Sequence, residues 1–170
     1  MLRFFLLFLL IQGVLFTAEM THQVQAAVVL PFTGAIADLS AWLIRSFDTS
    51  VIAYANIIQD LDNGFAVSIE AGCNGVEAAI VLFAAMLAFP SPWRYRLLGM
   101  GIGFLTVQTL NIGRIITLFY LGQWSQTLFD WAHLYIWQAL IMLDVLLVFL
   151  VWLRVMPRPT DPSTPHAADA

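Results

Sequence analysis

The chain has 170 residues, 61% of them hydrophobic and only 11% charged, with a mean hydropathy of +0.84. That is more apolar side chain than one soluble core encloses, so this is a membrane protein. All seven basic residues are arginines and the net charge is −4, which leaves no basic face for phosphates and excludes nucleic-acid binding; the single cysteine, Cys73, excludes an intramolecular disulfide and a CxxC site.

Apolar runs near the 20 residues that a helix needs to cross the hydrocarbon fall at 2–18, 75–89, 97–118 and 134–153. The first, with Arg3 at its start, fits the start of a signal peptide, but no A-x-A site follows it and it reads as a retained anchor. Segment 19–72 comes next. Phe32, Ile36, Leu39, Leu43 and Phe47 recur at helical spacing, with Trp42 on the flank, which predicts an amphipathic helix lying in the outer interface. Runs 51–59 and 65–70 flank Asp60-Leu61-Asp62-Asn63-Gly64 and predict a small β-hairpin, because Asn-Gly tolerates the positive φ of a tight turn. The second span is stopped by Pro90 and Pro92. Residues 157–170 hold four prolines among small and polar residues and predict a disordered tail.

The expected fold is therefore an all-α membrane protein with four transmembrane helices, an external amphipathic helix and a small β-hairpin. Its parts are an anchor at 1–18, an external segment at 19–72, a three-helix core at 73–156 and the tail. Arginines accumulate in cytoplasmic loops. Arg3, Arg94, Arg96, Arg154 and Arg158 fit one orientation, whereas 19–72 carries six acids against Arg45. This predicts a multi-pass protein of the cytoplasmic (inner) membrane with both termini in the cytoplasm.

Depth can be counted from the cytoplasmic ends. Cys73 precedes Pro90 by 17 residues, Arg114 follows Leu97 by 17, and His133 precedes Arg154 by 21. At 1.5 Å per residue they stand roughly 26, 26 and 32 Å up. A thiol, a guanidinium and an imidazole from three spans thus share the outer boundary. Singly, each has a plain reading: Cys73 as a small buried hydrophobe, Arg114 as a snorkelling cation, and His133 as one more ring in the aromatic belt of Trp124, Trp131, Tyr135 and Trp137. Together they make an acyl-transfer site. Cys73 is the nucleophile, His133 the acid and base, and Arg114 either favours thiolate or holds the oxyanion of an attacked carbonyl.

Neighbouring residues support the site. Gly72 and Gly75 bracket Cys73-Asn74, allowing a sharp turn that sets the thiol at a helix start. Glu77 is either a first-turn acid or a counter-ion for Arg114. Gln108, Asn111 and Arg114 form a polar stripe that must face protein or water. Gly99, Gly101 and Gly103 read as a helix-packing stripe, Asp144 as a polar contact to Thr106 or Gln108, and His22 as the rival base. No cofactor or metal is implied.

The order Cys73-Asn74-Gly75, Asn111-Ile112-Gly113-Arg114 and His133, with the basic turn Ser91-Pro92-Trp93-Arg94-Tyr95-Arg96 between them, resembles the exosortase/archaeosortase family. The resemblance runs from about residue 31 to 154. It implies a membrane-embedded, sortase-like cysteine transpeptidase, with Cys73, Arg114 and His133 as catalytic residues and Asn74, Glu77 and Asn111 supporting them. Most exosortases have around eight spans; this shorter chain is similar to the exosortase H type, associated with IPTL-type signals. The implied partners are exported proteins with a C-terminal sorting signal and a glycan or lipid acceptor, beside membrane lipids. The alternative is a non-enzymatic membrane scaffold or assembly subunit, in which the polar stripe joins helices and the hairpin binds a partner.

Overall fold

The computed structural model describes residues 2–156, so the tail expected at 157–170 lies outside the described residues. Helix α1 (Leu2–Glu19) is followed by α2 (His22–Ile44), a small sheet, α3 (Val76–Ala88), α4 (Trp93–Trp124) and α5 (Gln126–Val155). Four of these, α1, α2, α4 and α5, are long and apolar enough to cross a membrane. The all-α membrane fold with an attached β element is thus as expected.

Helix α3 has 13 residues. It ends at the Pro90-Ser91-Pro92 turn, where Arg96 donates to the carbonyls of Phe89 and Ser91 and to the Ser91 hydroxyl. It packs against α1, α4 and α5, with Leu82 and Met86 meeting Val107 of α4 and Val145 and Trp152 of α5. Helix α5 instead leaves Leu140, Leu143, Leu147 and Leu150 exposed, as expected of a helix whose outer face meets lipid. Gly99 lies against Trp152 and Gly103 against Leu82 and Val148, whereas nothing approaches Gly101. Two of the three glycines therefore serve close packing.

The four helices able to cross are not the four expected: α2, expected to lie in the outer interface, takes the place of the run at 75–89, whose helix α3 is shorter than the helices able to cross. Two further elements differ from the sequence expectation. The helix foreseen at 32–47 belongs to the longer α2, whose buried face is Thr33, Ile36, Ala37, Ser40, Ala41 and Ile44, while Leu39, Trp42 and Phe47 are exposed. Thr33, Ala37, Ser40 and Ala41 let the helix approach the sheet closely beside the core residues Ile36 and Ile44, while Leu39, Trp42 and Phe47 turn outward, where lipid offers them an equivalent apolar environment. Pro31 follows a widened π turn at Gln25–Val29. Such a turn relieves the clash of the proline ring with the carbonyl four residues back.

The second difference is in the sheet. The run at 51–59 is not one strand: it folds on itself at Ala55-Asn56 into β1 (Val51–Tyr54) and β2 (Ile57–Asp60), followed by β3 (Ala66–Ser68), all antiparallel in the order β1-β2-β3. Ala55 takes φ +52, and the Asn56 amide donates to Ser68 Oγ and to the Ile69 carbonyl, fixing the turn to the third strand. The turn expected at 60–64 is present, with Gly64 at φ +74. Asp60 accepts from Ser50, the Asp62 N–H and Asn63 there.

Helix α4 has 32 residues, about 48 Å at 1.5 Å each, well beyond a hydrocarbon core of about 30 Å. Its far end carries the sheet: Ile115 and Phe119 pack with Ile36 and Ile44 of α2 and with Val51, Ile58 and Ile69. Cys73 packs against the edge of this second core, so the segment that bears it is held between sheet and bundle.

Candidate functional site

The chain reaches Cys73 through a turn that only glycine forms without strain. Gly72 has φ +83 and Gly75 φ +78, the left-handed region that penalises any side chain. Between them Asn74, 1% exposed, anchors the turn in two directions. Its Nδ2 donates to Thr33 Oγ1 of α2 at 3.0 Å and its Oδ1 accepts the Val76 N–H at 3.0 Å, closing the first turn of α3. Glu77 accepts the Gly72 N–H through Oε1 and leaves Oε2 without a partner. It therefore holds the loop ahead of its own helix and makes no bond to Arg114.

Three helices converge on the thiol. His133 Nε2 stands 3.1 Å from Cys73 Sγ, Arg114 Nη2 donates to the same sulfur at 3.4 Å, and Arg114 Nη1 donates to the Gly72 carbonyl at 3.4 Å. Arg114 is 3% exposed, so it is turned inward and does not snorkel. His133 sits in a π turn, Ala132–Ile136, with its ring edge-to-face on Phe129 at 5.5 Å. Widened turns of this kind recur at functional sites because they rotate one side chain out of helical register. Neither the π turn nor the lateral adjacency of the three helices has a sequence signal that depth counting could read.

Burial raises the pKa of the Cys73 thiol above its ordinary value; the Arg114 cation opposes this, and Glu77 and Glu70 add to it. Burial is the larger effect, so of the two roles open to Arg114, that of setting a resting thiolate is not fulfilled by Arg114 alone. The adjacent imidazole is the group placed to take the proton.

Gln108 and Asn111 complete the stripe and are both buried, at 6% and 0% exposure. Neither side-chain amide has a hydrogen-bond partner, and Arg114 Nε has none either. Asp144 is not bonded to Thr106 or Gln108: the Thr106 hydroxyl donates to the Ile102 carbonyl, and Asp144 Oδ2 is unpartnered beside an apolar groove of about 490 Å³ between α4 and α5. His22 is exposed at the start of α2 and takes no part in the cluster. Among the described residues no three His, Cys, Asp or Glu side chains group as metal ligands.

No curated protein and no solved structure matches the chain. A family model described as transmembrane exosortase matches residues 1–154, a stretch that includes all five helices but for the last residue of α5, the sheet and the thiol, guanidinium and imidazole just described, and the chain belongs to that family of membrane-embedded sorting enzymes.

Proposed function

We infer that this exosortase is a cysteine transpeptidase that cleaves the C-terminal sorting signals of exported proteins through a thioester on Cys73. The observation that carries this reading is the contact of one sulfur with both an imidazole nitrogen and a guanidinium, at 3.1 and 3.4 Å. His133 Nε2 takes the thiol proton as Sγ attacks the scissile carbonyl carbon, and the tetrahedral oxyanion is held by the Arg114 fork. Collapse breaks the C–N bond, and the imidazolium returns its proton to the leaving amine. The nucleophile of a glycan or lipid acceptor then attacks the thioester carbonyl, giving up its proton to His133 and releasing the thiol.

The site lies at the sheet end of the bundle, opposite the Arg94 and Arg96 turn. Arginines accumulate on the cytoplasmic side, which supports a reading with the chemistry on the external face of the inner membrane and both termini inside. On this reading the substrates carry IPTL-type signals, as the exosortase H resemblance implies.

Thiol reactivity tests the reading against a scaffold. In detergent, Cys73 of the wild type should alkylate with a pH profile whose midpoint lies above that of an ordinary thiol, since burial outweighs Arg114. Removing the cation in Arg114→Ala should move the midpoint further up and slow alkylation at neutral pH. A thiol that is inert in both proteins would place the cluster among structural contacts.

A further inference from the structure

Beneath the Cys73 turn lies a cavity of about 230 Å³, walled by Gly75 of that turn, by Phe16 of α1, by Glu77 of α3, by Asn111 and Arg114 of α4 and by Gln138 of α5. It is far larger than the roughly 10–15 Å³ that suffices for one water. Several polar atoms of its lining residues make no bond within the protein. Asn111 Oδ1 and Nδ2, Glu77 Oε2 and Arg114 Nε all lack partners, although Asn111 is 0% and Arg114 3% exposed.

Buried polar atoms are nearly always paired, because an orphan carries its full desolvation penalty. Here the unsatisfied set is an acceptor on Glu77, a donor on Arg114, and one of each on Asn111. The complementary ligand must itself offer a donor and an acceptor close together, and a peptide unit does so with its N–H and C=O. Gln138 of α5 both lines the cavity and is exposed, so the cavity reaches the outside of the bundle there, where a chain lying in the membrane could enter.

We propose that this cavity is an amide-binding subsite that takes a main-chain peptide unit of the sorting tail next to the scissile bond, bonded by Asn111, Glu77 Oε2 and Arg114 Nε. The assignment of the occupant rests on the transpeptidase reading; the preference for amides does not. Arg114 spans both places, since its Nη2 meets the sulfur and its side chain lines the cavity. A bound peptide unit would therefore fix the guanidinium that faces the developing oxyanion.

The test uses full-length protein in detergent and compares wild type with Asn111→Leu and with Gln138→Leu, whose rim position makes a folding defect unimportant. Since Asn111 makes no bond in the free protein, Asn111→Leu should melt at or above the wild-type temperature. Alkylation of Cys73 is then followed with iodoacetamide, which carries a carboxamide, and with methyl methanethiosulfonate, which does not. The ratio of the two rates should fall about fivefold or more in Asn111→Leu, the loss expected when one or two hydrogen bonds go, and less in Gln138→Leu. KM for tail cleavage should rise by a similar factor. A lower melting temperature with an unchanged reagent ratio would overturn the proposal and make Asn111 a residue tied to the fold by water alone. If the wild type cleaves no tail while the ratio still depends on Asn111, the amide site stands and the transpeptidase reading falls.

Discussion

His133→Ala is expected to lower the rate of tail cleavage by about 10²–10⁴-fold, the range over which a positioned general acid and base contributes, with the protein still inserted. Among the described residues no other imidazole can substitute. His22 is exposed and outside the cluster, so His22→Ala should leave the rate unchanged. The loss has two sources: the buried thiol, its pKa already raised, loses the base 3.1 Å away, and the departing amine loses its proton donor. Release of the cleaved tail, followed by mass over time for the three proteins, measures it. A His133→Ala rate within a few-fold of wild type would mean that the thiol is activated by another group.

The second large effect concerns the turn that carries the nucleophile. Gly75 has φ +78, and a Cβ there would lie 2.7 Å from Gln108 Nε2 and 3.2 Å from Asn111 Nδ2. Gly75→Ala should cost about 1–2 kcal/mol in backbone strain alone. Its larger consequence is for the site, because Gln108 and Asn111 must move or the turn bearing Cys73 must tilt away from His133. Gly101→Ala is the matched control. It makes the same chemical change within α4 where nothing lies within 4 Å, and helix propensity favours alanine there by about 1 kcal/mol. Melting temperature and cleavage rate should fall together for Gly75→Ala, while Gly101→Ala should hold or gain stability at unchanged activity.

Much of this site is legible in the chain because membrane helices convert residue number into depth. Counting from Pro90, Leu97 and Arg154 places Cys73, Arg114 and His133 near one level, and a thiol, a cation and an imidazole at one level already suggest acyl transfer. Which neighbours each residue takes is set by packing, and packing leaves little local pattern. Glu77 is a case in point: its place in the sequence fits either a first-turn acid or a counter-ion for Arg114, and in the structure the carboxylate accepts the Gly72 N–H while Arg114 turns to the sulfur and the Gly72 carbonyl.

The fold shows the same division. Long apolar runs reveal helices, but bulk and hydropathy alone do not show which face of α2 is buried. Ala37, Ser40 and Ala41 are inside and Leu39 and Trp42 outside, because lipid accepts large apolar side chains as readily as a core does. The break at Ala55-Asn56 is hidden for another reason. An alanine at positive φ carries no turn signature, and its conformation depends on the bonds Asn56 makes to Ser68 and Ile69 more than ten residues away.

The most direct measurement of the central claim is co-expression of the chain with an exported protein from the same source bearing a candidate sorting tail, with the mass of that protein read for wild type and for Cys73→Ala. The wild type should release the tail at one peptide bond, and Cys73→Ala, inserted to the same level, should leave it whole. Equal cleavage in both would contradict a thioester route through Cys73 and with it the catalytic reading of the cluster.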